Sequence, residues 1–176
     1  GSWNVLMAPF VLHGAYTMLM RNFDPDAVLE QMEKDEHTIF WGVPTMLKMM
    51  AASPKFPQAD LSRIRYFVIG GEAMPIPLIK TWDDKGVPIR QGYGLTEVGP
   101  NVTSLDHSDA MRKQGSIGTP NFFYDVKVMK ENGEEAAANE MGEFLLKGPT
   151  VTPGYWKNEE ATRAAIKDGW FYTGDV

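Results

Sequence analysis

Tyr66-Phe67-Val68-Ile69-Gly70-Gly71-Glu72-Ala73-Met74-Pro75 joins a short apolar run to a glycine pair and then to a proline. Four consecutive apolar residues bounded by a turn signal read as a strand with little exposure. Gly70-Gly71 ends that strand, and Pro75 starts a helix with Ile76, Ile79 and Trp82 turned inward. The same grammar continues on both sides. Upstream, Asp24-Pro25 reads as an N-cap with proline at the first helical position, and Val28, Leu29 and Met32 share one face of a helix running to about Lys34. Thr38-Ile39-Phe40-Trp41 is short and β-prone, and Pro44 opens a Met-rich helical stretch from Met46 to Met50. Downstream, Ile89 begins a strand that ends at Gly92 and Gly94. Strands and helices in alternation, with fully apolar strands, imply an α/β fold: a parallel sheet with flanking helices over both faces.

After about Gly115 helices give way to alternating β patterns, with Val126, Val128, Phe144 and Leu146 as the inward residues. Asn132-Gly133 is a hairpin-turn signal, although the polar segment Glu134 to Glu140 stands against a tight two-residue hairpin. Asn158 can cap a helix through Ala161, Ala165 and Ile166 that stops at Gly169. The change of pattern near residues 105 to 115 divides the chain into an α/β part, 1–110, and a small β-rich, partial-barrel part, 111–176.

The 176 residues, 43% hydrophobic and 23% charged, suit a globular domain rather than a disordered segment. A net charge of −6 offers no basic field to draw the chain to nucleic acid or an anionic membrane. The absence of cysteine removes disulfides, thiolate nucleophiles and zinc–thiolate sites. His13, His37 and His107 lack metal-ligand spacing and read as ordinary histidines. No apolar run has the length of a transmembrane helix and no charged leader precedes one, so a cytoplasmic location is expected. Gly1-Ser2 looks like a cloning scar, and the abrupt entry from Trp3 to Pro9 suggests a piece of something longer.

Ligands of open parallel sheets bind beyond the carboxyl ends of the strands. Two glycine-containing turns leave strands there: Gly70-Gly71-Glu72-Ala73 and Gly92-Tyr93-Gly94-Leu95-Thr96-Glu97. Glycine lets backbone approach a flat base or a phosphate where a side chain would collide. Tyr93 offers an aromatic face, Thr96 a hydroxyl and Glu97 a carboxylate, which suit an adenine, a phosphate oxygen and Mg²⁺. From spacing alone the plain alternative stays open, in which the glycines mark tight turns, Tyr93 packs in the core and Glu97 is solvated. Thr173-Gly174-Asp175 places a carboxylate after a small turn, able to accept from both ribose hydroxyls, but such a turn is also a common structural feature.

Four stretches in order carry a resemblance. They are Gly70-Gly71-Glu72-Ala73; Tyr93-Gly94-Leu95-Thr96-Glu97; Gly142-Glu143-Phe144-Leu145-Leu146-Lys147-Gly148 with Gly154-Tyr155-Trp156; and Asp168-Gly169-Trp170-Phe171-Tyr172-Thr173-Gly174-Asp175. Together they resemble the adenylate-forming superfamily of acyl-CoA synthetases, peptide-synthetase adenylation domains and luciferases, from about Gly14 to the end of the chain. The resemblance implies that Gly71, Glu72 and Ala73 border the adenine, that Tyr93 stacks near it with Gly94 in the nucleotide-binding set, and that Thr96 contacts the α-phosphate. It also implies that Glu97 binds Mg²⁺ and that Asp175 holds the ribose, with Thr96 and Glu97 as the catalytic pair. The implied reaction has two steps: a carboxylic acid and ATP give an acyl-adenylate, and CoA then displaces AMP.

Two of the family's parts have no counterpart here. A Ser/Thr/Gly-rich phosphate loop with its lysine would precede residue 1, and the C-terminal domain with the adenylation lysine would follow Val176, so the chain by itself is expected to be inactive. Leu95 and the run Trp170-Phe171-Tyr172 favour a CoA ligase over an amino-acid-activating adenylation domain. A non-catalytic nucleotide-binding module is the alternative from another class. Met46, Met74, Ile76, Val98 and Gly99 are uncharged where the family's acyl pocket lies, which points to an apolar acid, a fatty acid before an aromatic one. The expected partners are thus a small carboxylic acid, ATP and CoA, with no nucleic acid and no transmembrane segment; the oligomeric state is left open.

Overall fold

The computed structural model describes residues 5–35 and 37–176, apart from the His107 side chain, so the readings made at Gly1, Ser2 and Trp3 lie outside the described residues. After a short helix α1 (Met7–Leu12), Asp24 caps α2 (Pro25–Lys34) by accepting from the Ala27 amide at 2.8 Å, and Val28, Leu29 and Met32 are its buried face, as their spacing predicts. β1 (Ile39–Gly42), α3 (Pro44–Ala51), β2 (Tyr66–Ile69), α4 (Ile76–Asp84) and β3 (Ile89–Leu95) then alternate. β1 pairs parallel with β2, and β2 with β3, so each returning helix lies between two neighbouring strands in the chain. Trp82 of α4 is fully buried, its ring 4.9 Å from both Phe56 and Phe67. Residues of α2, α3 and α4 and of β2 and β3 form one core cluster around it.

Three readings of this half are corrected. Ile76 is 52% exposed, because α4 begins at that residue and its core face is set by Ile79 and Trp82. The strand from Ile89 does not stop at Gly92 and Gly94 but runs through both to Leu95, then folds back as β4 (Gly99–Ser104). A β-carbon on Gly94 would lie 2.6 Å from the Gly99 carbonyl oxygen, so this glycine permits close strand pairing at a bulge rather than ending a strand. Cover on β2 is also unequal: Phe67 and Ile69 are fully buried, while Tyr66 and Val68 on the opposite face are half-buried. With β5 (Thr119–Pro120) the first sheet is mixed, in the order β1-β2-β3-β4-β5, parallel up to β3 and antiparallel beyond it.

The second sheet is antiparallel, in the order β6 (Asp125–Met129), β7 (Glu143–Lys147), β9 (Trp170–Tyr172), β8 (Ile166–Lys167); it is a four-stranded sheet and not a closed barrel. Val126 faces Leu146 and Val128 faces Phe144 in register, consistent with their shared inward pattern. Asn132-Gly133 sits in a local turn within the long connection 130–142, not in a tight hairpin. Asn158 caps α5 (Glu159–Ala165) as predicted, its side chain accepting from the Ala161 amide at 3.0 Å. The helix ends at Ala165, short of Gly169, because Ile166-Lys167 is already strand. Asp168 and Gly169 have φ of 51° and 79°, the two left-handed residues of a two-residue hairpin joining β8 to β9. A second core cluster, Val98, Val102, Leu146 and Phe171, binds this sheet to the β3–β4 hairpin.

Candidate active site

The register of the parallel strands brings the two glycine segments side by side. Ile69 is opposite Gln91, and a β-carbon on the next residue, Gly70, would lie 3.3 Å from the Gly92 carbonyl oxygen. Gln91 is 5% exposed, and its side-chain oxygen accepts from the Met74 amide at 2.9 Å, which fixes the turn after β2 to the middle of β3. Gly71, Glu72 and Ala73 stand exposed on that turn. Met74 is 2% exposed and Val98 is buried, so neither is free to wall a pocket; both are core residues.

Thr96, Glu97 and Val98 are the tip of the β3–β4 hairpin, with Thr96 exposed and Glu97 half-buried. Tyr93, before the bulge, packs edge-on against Phe144 of β7, ring centroids 5.4 Å apart. Its hydroxyl donates to Oδ2 of Asp175. Burial, then the hydrogen bond and charge of Asp175, hold the Tyr93 phenol well above the usual tyrosine range, and the Glu97 charge adds to this, so the hydroxyl remains a donor at neutral pH. Asp175 reaches this place because its own segment is tied to β7: the Thr173 hydroxyl donates to the Phe144 carbonyl at 2.7 Å, the Gly174 amide to Glu143 Oε1 at 2.9 Å, and the Phe144 amide to the Asp175 carbonyl at 2.8 Å. The structure thus brings Gly94, Tyr93, Thr96, Glu97 and Asp175 to one edge, next to the turn holding Gly71, Glu72 and Ala73.

Two participants carried no sequence signal of their own. Tyr155 donates through its hydroxyl to Glu97 Oε1 at 3.1 Å, and Glu143 anchors the Gly174 amide. Both lie within the quoted motif stretches, but no spacing rule marks either as a partner of a residue so distant in sequence.

Among the described residues no group of three or more His, Cys, Asp or Glu side chains could hold a metal ion. Mg²⁺ does not need such a cage: it is commonly held by one or two carboxylates together with phosphate oxygens and waters. Glu97 fits that mode, since Oε1 accepts from Tyr155 while Oε2 accepts no hydrogen bond from the described residues. Nor does any helix among those residues have the length and apolarity to cross a membrane.

The domain is thus a mixed α/β sheet whose β3–β4 hairpin carries the Glu97 carboxylate, joined to a second sheet whose outgoing segment presents that of Asp175. The chain belongs to the AMP-binding enzyme family, whose model matches residues 1–156. It is 42% identical over 168 residues to the feruloyl-CoA synthase of an Amycolatopsis species, covering 96% of this chain and 34% of that one. It is 37% identical over 165 residues to the long-chain-fatty-acid–CoA ligase FadD13 of Mycobacterium tuberculosis, covering 94% and 33%. The solved structure of o-succinylbenzoate coenzyme A synthetase from Bacillus subtilis, in complex with ATP and magnesium ion, superposes with a TM-score of 0.83 at 32% identity, covering 94% of this chain and 34% of that one. The chain therefore spans about a third of the length of the curated relatives it matches.

Proposed function

We propose that the protein carrying this chain is an ATP-dependent, AMP-forming acid–thiol ligase, an acyl-CoA synthetase. The observation that supports this best is the gathering of two carboxylates, Glu97 and Asp175, about the Tyr93 phenol, one on the β3–β4 hairpin and the other after β9. In this reading residues 1–110 are the AMP-binding part, and residues 111–176 are the β-rich part that carries Asp175 to it. Gly71, Glu72, Ala73, Tyr93 and Gly94 hold the base. Asp175 accepts from the ribose hydroxyls, with Oδ1 available because only Oδ2 is taken by Tyr93. Thr96 donates to the α-phosphate, and Glu97 holds Mg²⁺.

In the first step a carboxylate oxygen of the acid attacks the α-phosphorus, the bond to the bridging oxygen breaks, and pyrophosphate leaves. In this reading the Thr96 hydroxyl stabilises the charge that builds on the α-phosphate oxygens. Bound Mg²⁺ supplies further neutralisation of phosphate charge. In the second step the deprotonated thiol of CoA attacks the acyl carbon and AMP departs, leaving the thioester.

The acid is apolar in this reading, and a fatty acid in its finer form. Met46 and Gly99 are half-buried and Ile76 is exposed, so the uncharged wall is smaller than the sequence suggests once Met74 and Val98 are assigned to the core. The names of the two relatives, one for ferulate and one for long-chain fatty acids, support an acyl group without an ammonium. ATP–pyrophosphate exchange by the full-length protein, across octanoate, palmitate, ferulate, acetate and several amino acids, tests the reading. Exchange with octanoate or palmitate is expected. Preference for ferulate would keep the ligase and replace the fatty acid; preference for an amino acid would make it an amino-acid-activating domain; exchange with no acid would overturn the ligase. The isolated 176-residue chain is expected to give none.

A further inference from the structure

The segment from Thr150 to Tyr155 crosses to the tip of the β3–β4 hairpin and holds it at three places. The Thr150 hydroxyl donates to the Val98 carbonyl at 2.5 Å, the Thr152 amide to the Glu97 carbonyl at 2.6 Å, and the Tyr155 hydroxyl to Glu97 Oε1 at 3.1 Å. The first two contacts occupy backbone acceptors and would secure the hairpin whatever side chain stood at position 97. The third reaches only the carboxylate.

Tyr155 is itself held from both sides of its backbone. Its amide donates to the Thr162 hydroxyl at 2.9 Å, and its carbonyl accepts from the Asn158 amide at 3.2 Å. Thr162 in turn donates to the Asn158 carbonyl at 2.8 Å, and Asn158 caps α5. The N-terminal turn of α5 is thus the mount from which the phenol extends to Glu97. A glutamate loses rotamer freedom when it takes up a metal, and one already held in place has less to lose.

We propose that Tyr155 is a positioning residue for Glu97: its hydroxyl fixes Oε1 and so leaves Oε2 as the oxygen for Mg²⁺. The inference rests on the reading of Glu97 as the magnesium ligand given above. Removing a hydrogen-bond partner of a metal ligand commonly weakens the metal about 10- to 100-fold; a solvent-exposed bond belongs at the lower end, about tenfold.

The test is Mn²⁺ binding to the full-length protein with a non-hydrolysable ATP analogue, read from the free-ion EPR signal, alongside thermal unfolding. Tyr155→Phe, which keeps the ring, is expected to weaken Mn²⁺ binding by about tenfold while metal-free nucleotide binding stays at the parent value. Thr150→Val, which removes a backbone contact of the same segment, is expected to lower the unfolding temperature and leave Mn²⁺ affinity at the parent value. Parent-like Mn²⁺ affinity in Tyr155→Phe, with weakened binding in Glu97→Gln, would overturn the positioning role and leave the site reading standing. Equal weakening in Thr150→Val and Tyr155→Phe would also overturn it, by making the effect one of segment stability. Unchanged affinity in Glu97→Gln would overturn the metal reading and this inference together.

Discussion

The Tyr93 hydroxyl, on β3, donates to Oδ2 of Asp175, 82 positions further along the chain, and so joins the first sheet to the segment that leaves the second. The phenol is held above its ordinary value of 10.0, by burial first and then by Asp175. A raised folded-state value means that this contribution to stability is fully present below the unfolded value and is lost as pH climbs through the folded one. Urea unfolding should therefore show no Tyr93-dependent slope between about pH 7 and 9, and above about pH 10 the parent should lose stability more steeply than Tyr93→Phe. Equal slopes in the alkaline range would assign the loss to other groups.

Asp175→Ala removes both the acceptor of Tyr93 and the proposed acceptor of the ribose hydroxyls. Hydrogen bonds to a charged group contribute about 1.5–3 kcal/mol each, so ATP binding by the full-length protein should weaken by about tenfold or more. Calorimetric titration measures it, and parent-like affinity would remove Asp175 from the nucleotide site.

Glu97→Gln keeps the side-chain volume and an acceptor for Tyr155 but removes the charge. Adenylation should fall sharply, with circular dichroism and unfolding temperature close to the parent's. Turnover within about threefold of the parent would count against the metal role.

Gly94→Ala would place a β-carbon 2.6 Å from the Gly99 carbonyl oxygen and 2.8 Å from the Pro100 α-carbon, both backbone atoms with little room to yield. The hairpin should open or shift at a cost of about 1–3 kcal/mol, detectable by chemical denaturation, and ATP binding should weaken with it. A neutral result would mean that the bulge relaxes more readily than its packing suggests.

Phe67→Ala tests the core that supports the site. Phe67 is fully buried, against Phe40 at 5.0 Å and Trp82 at 4.9 Å, and truncation should cost about 3–5 kcal/mol. A loss below about 1 kcal/mol would require the surrounding rings to collapse into the space.

Much of the α/β half was legible because its signals are local. Asp24 caps α2 within three residues, Pro44 opens α3, and Tyr66–Ile69 is strand over the same four residues that the apolar run marks. Errors arose where one residue type serves two purposes. Gly92 and Gly94 resemble a strand end but admit close pairing inside a hairpin, and Asp168-Gly169, a strong hairpin signal, was hidden behind a helix that ends at Ala165. Met74 and Val98 were read as pocket wall because apolar side chains look alike in sequence; burial alone separates core from lining.

Local signals in the chain were enough for α2 with its inward face, for the strand at Tyr66–Ile69, and for the four ordered motifs that carry Thr96, Glu97 and Asp175. These depend on periodicity, capping and turn chemistry, which act over a few residues. That Tyr93 meets Asp175 and Tyr155 meets Glu97, pairs 82 and 58 positions apart, could be seen only in the folded chain. Those meetings follow from strand register, the bulge between Tyr93 and Leu95, and the placing of α5, each set by packing between sheets rather than by any local preference.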